Sequence, residues 1–537
     1  MEILQLSSMA KVFPNKIYGS QLSSAQAARG QCFYYQLAFK GNGKIRFEIE
    51  SELKEYITLH SVGCVPMDMP AYEGCTDNDY LTFEKGPCPD PLFPLEDNTL
   101  EIGQEYKAIW VDINVPEGIA HGTYAVKFII YCECGEKYES VLMLDVQRSA
   151  LPPQEHIVTQ WFHTDCIADV HNVPVFSEEH WLLIENYLRL AAESGINMIL
   201  TPVLTPPLDT EVGGERTTVQ LVKIQENNGE YTFDFSKLHR FIDVCLKCGI
   251  KYFEINHMFT QWGAKSTPKV VKETPNGEER IFGWETSATS DEYKNFLGQL
   301  IPAVIRVFDE KGIDRSRIYF HVSDEPNHEC MEEYKSAHDI LDSLIDGCNQ
   351  MDAITHFEYY ERGIIKTPVV ATNKVEPFME ANVKNLWCYY CCAQNDIMAN
   401  RFMAMPSYRN RIIGVQMYRC SIVGFLQWGY NFYNLQFSKG KINPYEVTDA
   451  GGAFPSGDAF SVYPYKNTAI PSLRIKVFKN ALEDIRLLKL LEAKIGKTAV
   501  DELIDRVAGM KVTFKSYPRS EEFFTKLYEE IFKILEQ

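Results

Sequence analysis

From Ile157 onward, short apolar runs alternate with segments of helical spacing, and no other feature limits the possible folds of this chain as strongly. Residues 158–162, 197–200, 252–255 and 318–322 read as buried parallel strands, and 369–370, 386–390 and 424–428 continue the series. Between them, residues 180–193, 235–248 and 292–309 carry apolar side chains three and four apart, the spacing of one helix face. A strand–helix unit repeated this often suits a (β/α)8 barrel better than a short doubly wound sheet. The series predicts a barrel over residues 151–470. Its fifth and seventh strands are the least defined by pattern.

The segment before the barrel has a different period. Ile45, Phe47 and Ile49 alternate with polar residues, as do Ile109, Val111 and Ile113, and then Val126, Phe128 and Ile130. Period two gives a strand one buried face, which predicts an antiparallel β-sandwich over residues 1–150. Pro152-Pro153 closes that region, since consecutive prolines remove amide donors and stiffen a link. Beyond Pro471, an apolar stripe of Val477, Phe478, Ala481, Leu482, Ile485 and Leu488 predicts helices over 471–537 that pack on the barrel. The expected class is therefore multidomain α/β: sandwich, (β/α)8 TIM-like barrel and C-terminal helical layer.

With 537 residues, the chain exceeds one ordinary core. A net charge of −20 argues against a nucleic-acid partner, because phosphate recognition rests on clustered Lys and Arg. No stretch approaches the roughly 18 apolar residues of a membrane span. The first residues lack the apolar run of a secretory signal, so the 15 cysteines are expected as reduced thiols in a cytoplasmic protein. Cys245-Leu246-Lys247-Cys248 has metal-site spacing but no matching second pair. No phosphate-binding glycine loop follows a strand, and neither cofactor nor metal is expected.

The chemistry concentrates in Ile318-Tyr319-Phe320-His321-Val322-Ser323-Asp324-Glu325-Pro326. An apolar strand runs straight into two carboxylates, at the strand end where barrels build their active sites. Pro326 is expected to hold Glu325 extended, stopping the strand and aiming its carboxylate. Retaining glycosidases ordinarily need a second carboxylate about 5 Å away as nucleophile. Between Glu380 and Glu446 there is no glutamate and a single aspartate, Asp396, so the late strands offer no obvious one. Glu358 remains as a conventional nucleophile. The other route is attack by the substrate's own 2-acetamido oxygen, which needs one acid and one carboxylate for the acetamido N–H. Adjacent Asp and Glu provide both.

Aromatic and polar residues near strand ends are the candidate sugar contacts: Trp161 and His163 on the first strand, His257 and Trp262 after the third. Trp387, Tyr389, Trp428 and Tyr430 lie late in the barrel, and the loop residue Asp458 is a candidate hydroxyl ligand. Sugar C–H faces pack on aromatic rings, while indole N–H and phenol O–H groups meet hydroxyls.

Several fragments, in this order, resemble glycoside hydrolase family 123, the β-N-acetylgalactosaminidases. They are Trp110-Val111-Asp112-Ile113-Asn114-Val115-Pro116 with Gly122-Thr123-Tyr124, then Ser323-Asp324-Glu325-Pro326 and Gly424-Phe425-Leu426-Gln427-Trp428. Gly457-Asp458, Tyr463-Pro464, Pro471-Ser472-Leu473-Arg474 and Leu482-Glu483-Asp484 complete the set. The resemblance implies a sandwich before a catalytic barrel and a carbohydrate substrate carrying terminal β-linked N-acetylhexosamine. It also implies that Asp324 stabilises the acetamido group while Glu325 serves as general acid and then base. Two alternatives stay open at this point: a barrel glycosidase of other specificity using Glu358, and a catalytically silent carbohydrate-binding protein.

Overall fold

The computed structural model describes residues Met1–Gln537. Eight parallel strands close the predicted barrel: Ile157–Gln160, Met198–Thr201, Tyr252–Ile255, Ile318–Phe320, Asn349–Ile354, Thr367–Ala371, Trp387–Tyr389 and Gly424–Gln427. The ring shuts where Ile157 to Gln160 pair with Gly424 to Gln427. Asn349–Ile354 is the strand missing from the sequence series. Its Asn349, Gln350 and Asp352 interrupt the apolar run that marks the others.

Met198, Leu200, Tyr319, Met351, Val369, Trp387 and Leu426 fill the barrel interior with an apolar plug. The fit leaves no slack at Gly424, where an added Cβ would lie 2.2 Å from the Trp387 ring. Helices Glu178–Glu193 and Asp291–Glu310 begin at Ser177 and Ser290, whose hydroxyls accept from the amides of His180 and Tyr293 and satisfy donors the first turn leaves free. Leu473–Ile495, capped in the same way by Ser472, stands where the barrel's eighth helix belongs. It lies so close to Ser407–Arg419 that a Cβ on Gly414 would meet the Ala481 carbonyl oxygen at 2.0 Å. Lys497–Ala508 and Glu522–Leu535 pack outside it.

Two five-stranded sheets precede the barrel, enclosing Tyr35, Leu37, Phe47, Val111, Phe128 and Leu144. All strand pairs are antiparallel except one: Ser24–Arg29 runs parallel to Lys137–Ala150. The seam between sandwich and barrel is charged and buried. Asp90 on a sandwich strand forms a two-point ion pair with Arg474 at the start of Leu473–Ile495, both contacts 2.8 Å. Asp112 accepts from Trp110 Nε1 at 2.6 Å and from Lys476 Nζ at 2.8 Å. Lys11 Nζ donates to the carbonyls of Met403 and Met405 at 2.6 and 2.7 Å, and burial lowers its pKa to about 8.

Two hairpins escape the sequence reading: Lys223–Asn227 with Glu230–Asp234, and Val270–Thr274 with Gly277–Phe282. They follow the second and third barrel strands. No helix is long and apolar enough to cross a membrane.

Candidate active site

The fourth strand ends in a buried ion cluster. His321 Nε2 lies 2.7 Å from Glu254 on the third strand, and Nδ1 lies 2.9 Å from Asp352 on the fifth. Burial alone would strip the His321 proton, but hydrogen bonds and charge from Asp352 and Glu254 outweigh it and push the pKa up to about 10. The ring is therefore an imidazolium donating from both nitrogens. Glu254 also accepts from the Thr159 hydroxyl and from Trp161 Nε1 at 2.7 Å, and Asp352 from the Val322 amide at 3.1 Å and the Tyr334 hydroxyl. Sequence reasoning missed both acids. The available signal was a lone charge inside an apolar strand, Tyr252-Phe253-Glu254-Ile255, which a barrel interior admits only with partners.

His257 stacks on His321 with ring centroids 4.3 Å apart, and Trp161 meets it edge-on at 5.2 Å. Both His257 nitrogens are buried without a protein partner. Burial and the neighbouring imidazolium hold its pKa well below the ordinary value, so this ring is neutral. His257, His321 and Asp352 form the sole cluster with metal-ligand atoms within 4.8 Å of one another. His321 spends both nitrogens on carboxylates and stacks nearly parallel to His257. The donor set thus fits an ion cluster and not a metal cage.

Asp324 and Glu325 lie above this floor, half-buried at the open end of the barrel. The Asp324 carboxylate accepts no hydrogen bond from the protein, and Glu325 accepts only from the Tyr389 hydroxyl. Burial raises both carboxyls, and the pair's mutual repulsion raises Asp324 further, against the pull of His321. Both shifts favour the protonated form, and two adjacent acids oppose ionising together. Glu325 is not extended, as its position before Pro326 predicts, but sits at φ 41°. The turn offsets the pleat that would otherwise send neighbouring side chains to opposite faces. Its geometry is pinned by the Trp262 amide, which donates to the Asp324 carbonyl at 2.9 Å.

A third carboxylate, unforeseen from sequence, belongs to Asp209 beyond the second strand. It is half-buried, one oxygen accepts from the Phe437 amide at 2.9 Å, and burial pushes its pKa up to about 6. The other oxygen is free.

The expected sugar contacts divide. Trp428 is half-buried, with Nε1 donating to Asp458 at 3.0 Å and its carbonyl accepting from His163 Nε2 at 2.9 Å. His163 Nδ1 faces Arg216, which only donates, so the ring proton resides on Nε2. Arg216 is itself clamped by Asp165 through two 2.8 Å contacts. His163 and Asp458 thus hold Trp428 from behind. Asp458 is fully buried, so it does not face a ligand as a free loop carboxylate would. Buried Arg401 ties this wall together, reaching Gln160 at 2.9 Å, Gln427 at 2.6 Å and the Asp458 carbonyl at 2.9 Å.

Two of the expected residues point elsewhere. Trp387 is buried in the barrel plug against Tyr319, and Tyr430 packs on Phe162 behind the wall with its hydroxyl on the Tyr187 carbonyl. Strand-end position alone does not reveal which face a side chain takes. Glu358 is exposed on the short helix Glu358–Glu361, its side chain in solvent.

A model of the glycoside hydrolase 123 catalytic domain matches residues 161–491, a span that contains Asp209, Glu254, His257, His321, Asp324, Glu325, Asp352 and Trp428. The chain belongs to glycoside hydrolase family 123. A family 123 glycoside hydrolase from Clostridium perfringens, studied for glycolipid glycan hydrolysis, superposes with a TM-score of 0.74 at 14% identity, covering 99% of this chain and 97% of that one. A family 5 xyloglucanase from Bacteroides ovatus aligns at a TM-score of 0.30 and 8% identity over 86% and 98% of the two chains. A family 10 xylanase from Thermobacillus composti gives 0.31 at 12% over 61% and 96%. No curated protein matches the sequence. Family 123 membership makes this a glycoside hydrolase acting on carbohydrate, and the sandwich, closed barrel and helices agree with the fold expected from sequence.

Proposed function

We propose that this family 123 enzyme releases terminal β-linked N-acetylhexosamine, most consistent with N-acetylgalactosamine, by a retaining, substrate-assisted reaction. The observation that carries the reading is a contrast among the carboxylates. Asp324 has no protein partner and Glu325 has one, whereas Glu254 and Asp352 beneath them are saturated by hydrogen bonds. The floor acids are thus unavailable as nucleophiles, and exposed Glu358 faces solvent. What remains beside Asp209 is the adjacent pair Asp324 and Glu325.

In this reading the acetamido N–H binds Asp324 and holds it anionic, and Glu325 carries the proton. The acetamido oxygen attacks the anomeric carbon while the bond to the leaving oxygen breaks, and Glu325 delivers its proton to that oxygen. Asp324 stabilises the positive charge of the oxazolinium. Water then attacks the anomeric carbon as Glu325 takes its proton back, regenerating the pair. Two inversions give net retention. Trp428 and Trp161 supply apolar faces for the ring, and neutral His257 offers a polar contact.

The test is early product analysis by NMR on aryl β-glycosides with and without the 2-acetamido group. Activity confined to acetamido sugars, with retention, is expected. Initial inversion refutes substrate assistance. Retention with a glycosyl-enzyme trapped on Asp209, the half-buried acid with a free oxygen, transfers the role of nucleophile to that residue.

A further inference from the structure

The seam between sandwich and barrel holds a nucleophile that the glycosidase reading does not use. Cys32 opens the sandwich strand Cys32–Lys40 and pairs with Asn114, the last residue of Lys107–Asn114. Its backbone is held on both sides by the helix Leu473–Ile495. The Cys32 amide donates to Glu483 Oε1 at 3.1 Å, and its carbonyl accepts from Asn480 Nδ2 at 3.2 Å. The sulfur meets the same helix, 2.9 Å from Lys479 Nζ, with Asn114 Oδ1 on its other side at 3.0 Å. Of the fifteen cysteines, Cys32 is the one whose sulfur receives a lysine amine.

The pair is reachable. Cys32 is half-buried and borders a cavity of about 450 Å³ between the sandwich and the helix Glu522–Leu535, walled by Ser8, Gln31, Phe33, Asn480 and Tyr528. A single water takes up roughly 30 Å³ of liquid, so a peroxide of similar size enters with room to spare. Burial and the Glu483 carboxylate raise the pKa of the Cys32 thiol, and Lys479 opposes them, so the thiolate is a minor form at neutral pH. Burial works against the Lys479 charge, but Cys32 and Glu483 outweigh it, so this side chain is an ammonium.

A sulfur and a nitrogen fixed this close, from residues 447 apart in sequence, are set to join once the sulfur is oxidised. We infer that Cys32 and Lys479 are an oxidative cross-linking site, at which a peroxide staples sandwich to barrel through a sulfur–nitrogen bond. The Cys32 thiolate attacks one peroxide oxygen, the O–O bond breaks, and the departing oxygen leaves as water with a proton from the Lys479 ammonium. This gives a sulfenic acid beside a neutral amine. The amine nitrogen then attacks sulfur, the S–O bond breaks, and the hydroxyl leaves as a second water with one amine proton. Sulfur gives up two electrons, and one peroxide becomes two waters. With the thiolate scarce, the site answers to sustained oxidant and not to a brief pulse.

The experiment exposes the full-length enzyme to hydrogen peroxide, digests it without reductant and maps the peptides by mass spectrometry. The peptide containing Cys32 should appear joined to the one containing Lys479, lighter than their sum by two hydrogens, and a thiol reductant should separate them. Thermal unfolding of the oxidised enzyme should move up on the order of 5 °C, because the link closes a long loop in the unfolded chain. Lys479→Arg keeps the charge but removes the reactive amine, and Cys32→Ser removes the sulfur. Neither variant should yield the joined peptide or the shift, and the wild-type map decides the matter even where a variant fails to fold. Oxidised wild type without the joined peptides, its Cys32 a free thiol or a sulfinic acid, overturns the cross-link. A thermal shift equally large in Lys479→Arg traces it to other cysteines and overturns the staple.

Discussion

The Tyr389 hydroxyl on the seventh barrel strand donates to Glu325 at the end of the fourth, a hydrogen bond across the open end of the barrel. It favours the charged carboxylate and so restrains the upward shift that burial imposes on Glu325. In Tyr389→Phe that restraint is gone and the Glu325 pKa rises further. On the proposed mechanism, activity requires protonated Glu325 and is lost as pH rises through its pKa, so the alkaline limb of the kcat profile should move to higher pH. A fall in kcat of about tenfold should accompany it, as for loss of a hydrogen bond to a charged group. A pH–rate profile of the variant checks both, and an unmoved limb would separate Tyr389 from the acid.

On the same mechanism, Asp324→Asn removes the charge proposed to stabilise the oxazolinium and leaves the shape of the site. Such a contact strengthens in the transition state, so kcat should drop on the order of 10²-fold or more with a modest change in KM. A thiazoline mimic of the cyclised intermediate should inhibit the wild type far more strongly than the variant. Equal inhibition constants would contradict the assignment.

His321 predicts a pH dependence of stability. Its pKa is about 10 when folded, against about 6.5 for an unperturbed histidine. The native state therefore holds a proton that the unfolded chain releases between those values. This stabilisation is complete below about pH 6.5 and is lost as pH rises through 10. Thermal unfolding measured from pH 6 to 10.5 should show a decline that His321→Asn flattens. The variant itself should be less stable by about 3–5 kcal/mol, because it leaves two buried carboxylates without their cation.

Gly424→Ala should destabilise the barrel by about 1–3 kcal/mol, since the new methyl meets the Trp387 ring in a plug with no free volume. Chemical denaturation is the measurement, and the double variant Gly424→Ala/Trp387→Phe should recover part of the loss. Failure to recover any would place the strain elsewhere.

The barrel was legible because buried strands and amphipathic helices each carry a period, and seven of eight strands show enough of it to be placed, the seventh weakly. The fifth does not, for a functional reason: Asp352 there clamps His321, and polar neighbours erase the apolar signature. The hairpins were invisible because Lys223-Ile224-Gln225-Glu226-Asn227 and Gly277-Glu278-Glu279-Arg280-Ile281-Phe282 bury little. Asp324 and Glu325 could be found from their place at a strand end. Glu254 showed only as a lone charge in an apolar strand, and Asp209 not at all, because their partners come from three-dimensional closure. The left-handed φ of Glu325 reverses the local preference before proline, and only the tie from Trp262, distant in sequence, explains why the chain tolerates it.

The buried Lys11 ammonium ends on Met403 and Met405, two and four residues past Arg401. Arg401 is the group that fastens Gln160, Gln427 and the Asp458 carbonyl behind Trp428. Lys11 thus fixes the backbone next to the arginine that braces the wall behind the Trp428 indole. The N-terminal region is in that sense a buttress for the barrel wall: a barrel cut free of it keeps Asp324 and Glu325 but loses the ammonium that ties down the segment after Arg401.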